Sequence, residues 1–174
     1  MNRWLAGLSL LLVLSGCGDD GHGSPFGPAA ALQAWRDQVS AVIDEVNAVQ
    51  TELERLAVGS AGQATGENLA AAADLLRPRL QRAAADFALI GPPPELAELH
   101  LSMLRLVALR LEGLELAVQG WQAEQASTYT QAEPIYAAAE ARFEEARLLA
   151  VQINDLLAQV DAELADQEGC RLVV

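Results

Sequence analysis

Residues 32–56 read LQAWRDQVSAVIDEVNAVQTELERL, and the spacing of the apolar residues in that stretch decides the fold. Leu32, Trp35, Val39, Val42, Val46, Val49, Leu53 and Leu56 follow one another in steps of three and four without a miss. A strand repeats its buried face every second residue. This rhythm instead draws one stripe down a helix, the seam of a helix lying along near-parallel neighbours. Arg36, Asp37, Asp44, Glu45, Glu52, Glu54 and Arg55 occupy the other faces. Pro28, whose fixed φ suits a first turn, opens the helix, and Gly59-Ser60-Ala61-Gly62 closes it after Val58.

The pattern repeats downstream. A second helix is predicted from about Glu67 to Ile90, with Leu69, Ala73, Leu76, Leu80, Ala83, Phe87 and Ile90 inward. Pro78 lies inside it, which removes a backbone bond and predicts a kink near Leu75 or a split into two. Gly91-Pro92-Pro93-Pro94 ends that helix and stiffens the turn into a third, from about Glu95 to Ala126. In the fourth, Thr130 is the predicted N-cap, Glu133 has capping-box spacing, and Pro134 falls in the first turn. Its seam runs Tyr136, Ala139, Phe143, Ala146, Ala150, Ile153, Leu157, Val160 and Leu164.

At 1.5 Å per residue, helices one, three and four would each be roughly 45 to 55 Å long and helix two about 36 Å. Connections this short force antiparallel neighbours, so the expected fold is all-α, an up-down-up-down four-helix bundle over residues 29–174. The alternative is a short α-helical repeat array. Tetratricopeptide units, at about 34 residues per helix pair, are shorter than either hairpin here.

Helix three is too apolar for one buried face. Its first stripe is Ala97, His100, Leu104, Val107, Leu111, Leu114, Val118 and Trp121. Opposite lie Leu96, Leu99, Met103, Leu106, Leu109, Leu116 and Ala117, with Gly113 and Gly120 seven residues apart on the same side. A surface helix covers one side only, so Leu99, Met103, Leu106, Leu109, Gly113, Leu116 and Gly120 form the candidate face for a partner, self-association first.

The N-terminus says where the chain is held. Arg3 precedes an apolar run from Leu8 to Leu14 broken only by Ser9, and small residues lead into Cys17. That is the build of an export signal, and it is too short for a finished span, which needs about 20 apolar residues. Leu14-Ser15-Gly16-Cys17 resembles the lipobox of bacterial prolipoproteins. The resemblance implies a leader over 1–16, cleavage before Cys17, a diacylglycerol on its sulfur and often an acyl group on its amine. Two or three acyl chains, at about 0.8 kcal/mol per buried methylene, hold a protein on a bilayer permanently. Gly18 stands where an aspartate would signal inner-membrane retention, which favours the outer membrane, with Asp19 and Asp20 following at once. Residues 17–28 are glycine-rich and polar and read as a flexible tether, so His22 within them has nothing to fix it as a metal ligand.

Composition narrows the functional classes. The formal charge is −13, and −14 once Arg3 leaves with the leader. Every remaining basic residue is an arginine. So acidic a surface repels nucleic acid, whose binding relies on clustered positive charge. Once Cys17 is a thioether, Cys170 is the only thiol of the mature chain and can pair only with another chain.

No catalytic constellation emerges. A di-iron bundle needs Glu-x-x-His on two helices, whereas the residue three before His100 is Ala97. Attached haem needs Cys-x-x-Cys-His, which is absent, and His100 with Met103 share one turn and cannot take opposite faces of an iron. His100 therefore reads as a hydrogen-bonded structural residue. Ser102 points away from His100, and Glu168 disfavours a reactive thiolate at Cys170. The one dense basic run, Arg77-Pro78-Arg79-Leu80-Gln81-Arg82, is expected to pair with carboxylates of neighbouring helices and with Asp86. Pro92-Pro93-Pro94-Glu95-Leu96-Ala97-Glu98-Leu99-His100 is similar to the helix entry of uncharacterised secreted helical proteins, which implies the fold and no activity.

The expectation is thus a non-catalytic, lipid-anchored envelope protein without catalytic residues, cofactor or metal. Its bundle would bind an envelope protein or a second copy. The alternative is an apolar small ligand or lipid held between the helices, where the alanines of helices two and four leave room.

Overall fold

A computed structural model describes residues 24–58, 62, 64–126 and 129–169, with side chains up to residue 165. Four α-helices, α1 (Ala29–Val58), α2 (Gly66–Leu89), α3 (Ala97–Ala126) and α4 (Tyr129–Gly169), account for nearly all of it, and no strand occurs among the described residues. The leader, Cys17, His22 and Cys170 lie outside the described residues.

Cross-helix pairs give the topology. Arg79 grips Glu45 in a fork, at 2.7 and 3.0 Å, between α1 and α2. His100 meets Phe87 between α2 and α3, and Arg105 meets Glu145 between α3 and α4. Arg36 reaches Asp161 at 2.7 Å from α1 to α4. Near the ends the start of one helix meets the finish of another: Asn68 of α2 reaches the Ala57 carbonyl oxygen of α1, His100 of α3 meets Phe87 of α2, Tyr136 of α4 lies against Gly120 of α3, and Arg36 of α1 meets Asp161 of α4, so every neighbour runs antiparallel and the bundle is up-down-up-down. The seam of α1 is buried as spaced, from Leu32 to Leu53, except that Ala57 takes the last inward position and Leu56 is only half-buried.

Three local features differ from the sequence expectation. α2 does not split at Pro78 but runs on as one helix, and Pro78 and Asp74, whose carbonyl loses its helical bond to the proline, are both exposed residues. Its start is fixed by Thr65, whose side chain accepts a bond from Asn68 N at 3.1 Å. Before α3, Pro94–Leu96 form one 3-10 turn, so the α-helix proper begins at Ala97. Thr130 does not cap α4: the helix already includes Tyr129, whose ring stacks on Tyr136 at 6.4 Å and extends the first turn.

The four helices are not equally enclosed. α3 packs broadly against both α2 and α4, whereas α1 and α4 touch sparsely. That asymmetry answers the double apolar face of α3. Leu99, Met103, Leu106 and Leu109 are all under 10% exposed, and Gly113 and Gly120 are buried. Leu116 is half-buried. The expected partner face is therefore internal, a correction with a plain cause: α3 is packed between α2 and α4, so both of its apolar faces are covered within the chain.

The two glycines are sockets. A Cβ on Gly113 would stand 2.7 Å from Phe143 Cε1, and one on Gly120 would stand 2.6 Å from Tyr136 Cε1. Phe143 and Tyr136 are seven apart on α4, as their sockets are on α3. Each aromatic ring sits where a side chain would otherwise be, which brings the two helices close.

Candidate binding cleft

The thin approach of α1 to α4 leaves a cleft of about 480 Å³ between them. Gln50 and Glu54 of α1 form one lip and Glu140, Glu144 and Arg147 of α4 the other. Phe143, Ala146 and Ala150 supply its apolar wall, and Arg110 of α3 lies at its floor. Two of the wall residues are alanines of the α4 seam, so the helix offers small side chains where its neighbour across the gap does not close.

A second hollow, about 530 Å³, continues along α4 toward its start and shares Glu140 and Phe143 with the first. Leu69, Tyr136 and Ala139 line it, and the Tyr136 hydroxyl donates to Glu124 at 2.9 Å. Burial together with that bond pushes the Tyr136 hydroxyl up to about 12. In the other direction a narrow space of about 50 Å³ reaches Met103, Ile153 and Leu157 below Arg110. Tyr136, Phe143 and Ala150 are the half-buried positions of the α4 seam, and each lines one of these spaces.

Arg110 is the buried cation of the described core, only 8% exposed. Its Nη1 donates to the Val46 carbonyl oxygen at 3.1 Å. That oxygen belongs to helix α1, so the guanidinium borrows its second lone pair. Burial lowers the Arg110 pKa, and Glu54, two turns beyond Val46, opposes that only from a distance. Arg110 was not singled out in the sequence, although a signal exists: it stands four residues after Leu106 and three before Gly113, inside an apolar face.

The other sequence candidates fall outside this cleft or into structural roles. His100 is 4% exposed, and its Nε2 lies 2.9 Å from the Phe87 carbonyl oxygen. A carbonyl only accepts, so in this bond Nε2 is the donor. Nδ1 and the Trp35 Nε1 are both buried without a hydrogen-bond partner among the described residues, their rings meeting edge-on at 6.5 Å. Phe87 closes the cluster at 6.0 Å. This is the hydrogen-bonded structural histidine that the sequence predicts.

The basic run is largely neutralised. Arg79 pairs with Glu45, whose carboxyl is held below its usual range mainly by that bond, and Arg77 reaches Asp74 at 3.8 Å. Arg82 turns back to the Pro78 carbonyl oxygen at 3.5 Å rather than to Asp86. Between α3 and α4, Arg105 and Arg142 interlock with Glu112 and Glu145 on an exposed surface.

Among the described residues no three or more His, Cys, Asp or Glu side chains gather as a metal site would require, and no helix is long and apolar enough to cross a membrane. Compared with protein-family models, with curated proteins and with solved structures, the chain matches none.

Proposed function

We propose that this chain is a non-catalytic binding module of the bacterial cell envelope, anchored through lipid on Cys17 and favouring the outer membrane. Its helical bundle holds an apolar small ligand or lipid chain in the cleft between α1 and α4. The observation that carries the ligand is the cleft itself: an apolar wall of Phe143, Ala146 and Ala150 left open because α1 and α4 do not close on each other. Sites of about 300 to 1,000 Å³ with a few placed polar groups are the usual size for small ligands.

A protein partner was the stronger expectation from sequence alone, and it rested on the second face of α3. Burial of Leu99, Met103, Leu106 and Leu109 removes that surface. The large exposed apolar residues that remain, among them Val58, Leu75, Leu101, Leu148 and Val151, are distributed over all four helices.

Native mass spectrometry of the protein purified without added lipid tests the reading. A small-molecule mass that is lost on denaturation is expected. A bare chain accompanied by a stoichiometric second polypeptide would overturn it in favour of a protein partner.

A further inference from the structure

Arg110 is a costly choice at its position. Replacing a buried ion by an apolar residue of similar size is often neutral or stabilising, and the neighbours of Arg110 on α3 are Leu106, Val107, Gly113 and Leu114. Methionine or leucine would serve the core at least as well. The chain instead buries a planar fork of five N–H donors. One nitrogen, Nη1, is bonded to the Val46 carbonyl oxygen, and among the described residues no carboxylate forms an ion pair with the guanidinium. The same side chain lines both the 480 Å³ cleft and the narrow space beneath it.

We infer that the cleft takes an amphiphile with a single anionic head, a long-chain carboxylate, whose head sits on the Arg110 guanidinium and whose chain lies along Phe143, Ala146 and Ala150. This rests on the cleft being the ligand site. A carboxylate offers two oxygens to a guanidinium fork, and a charge-assisted bond away from bulk water is stronger than one at the surface. An anion there also supplies a directly bonded countercharge, where Glu54 acts on the guanidinium only from a distance.

The lips set the rest of the specificity. Glu54 and Glu140 face the entrance, and Glu144 is tied to Arg147 at 2.7 Å. This acidic rim repels a dianion more than a monoanion, so inorganic phosphate is a poor ligand and the apolar chain must contribute much of the affinity. At about 30 Å³ for a group the size of a water molecule, the adjoining hollows have room for a chain of roughly a dozen carbons.

The test uses residues 18–174, which contain every residue of the core, and titrates dodecanoate, dodecanol and inorganic phosphate by calorimetry. Dodecanoate should bind about ten- to a hundredfold more tightly than dodecanol, the range of a hydrogen-bonded charge, and phosphate should not bind measurably. Arg110→Met should bring the acid to within about threefold of the alcohol while leaving the alcohol affinity and the helical circular dichroism unchanged. Glu140→Gln, on the exposed lip, should tighten the acid a few-fold and leave the alcohol alone.

Equal affinities for acid and alcohol in the unaltered chain would overturn the anionic head while leaving the cleft as an apolar site. Binding of neither would overturn both. Phosphate as tight as dodecanoate would reduce the site to a simple anion site and overturn the amphiphile. If Arg110→Met fails to fold, the acid and alcohol comparison and Glu140→Gln still decide.

Discussion

Gly113→Ala offers a test of the α3–α4 interface in which two known effects oppose each other. Alanine inside a helix is favoured over glycine by about 1 kcal/mol. Against this, the new Cβ would stand 2.7, 2.9 and 3.0 Å from three ring atoms of Phe143, the nearest short of an ordinary 3.4 Å contact by about 0.7 Å. Forcing an extra methyl into a packed site costs typically 1–3 kcal/mol. The net change in the unaltered chain is therefore a loss of about 0–2 kcal/mol. With Phe143→Ala already in place the ring is gone, the clash vanishes and the same substitution should stabilise by about 1 kcal/mol. The assay is urea unfolding at 25 °C followed by circular dichroism on all four chains of the double-mutant cycle, and the expected coupling is about 1–3 kcal/mol. A stabilisation by Gly113→Ala of the same size with and without Phe143 would refute the socket, because nothing would then stand where the methyl goes.

Leu106→Glu with Leu109→Glu should abolish cooperative folding rather than release monomers from an oligomer, since both leucines are under 10% exposed and an unpaired buried carboxylate costs several kcal/mol; a helical, monomeric double variant would restore the partner face. Cys17→Ser should shift the full chain out of the detergent phase, or leave it as uncleaved precursor, in a phase-partition assay, and unchanged partitioning would contradict the anchor. The Arg79–Glu45 pair lowers the Glu45 pKa, so its stabilisation is fully present above the ordinary glutamate range and is lost as pH falls through the lowered value. Both side chains are 30% or more exposed, which limits Arg79→Met to a loss of about 0.2–1 kcal/mol at pH 7. Unfolding curves at pH 7 and pH 3 check this: the difference between the two chains should shrink at pH 3, and a constant difference would show that the lost packing, not the charge, is responsible.

The helices were legible in the sequence because helix period and burial are local properties. Eight apolar residues at alternating steps of three and four leave α1 one inward stripe whatever it packs against, and glycine and proline separate the first three helices while a polar turn separates the last two. Short connections then leave antiparallel neighbours as the compact arrangement. The role of His100 was also readable, since a histidine inside an apolar stripe next to a proline turn needs a backbone acceptor and found it at Phe87.

Tertiary structure decided what no single helix contains: the distances between helices. Two apolar faces on α3 are compatible with a partner outside or with cover inside, and only the packing of α3 against both α2 and α4 selects the second. The pairing of Gly113 with Phe143 and of Gly120 with Tyr136 is likewise a matter of register between two helices, which spacing within either one does not specify. Arg110 shows the same division. Its place on an apolar stripe is written in the chain, but whether a seam residue ends in a sealed core or at the floor of a cleft depends on how far apart two other helices stand.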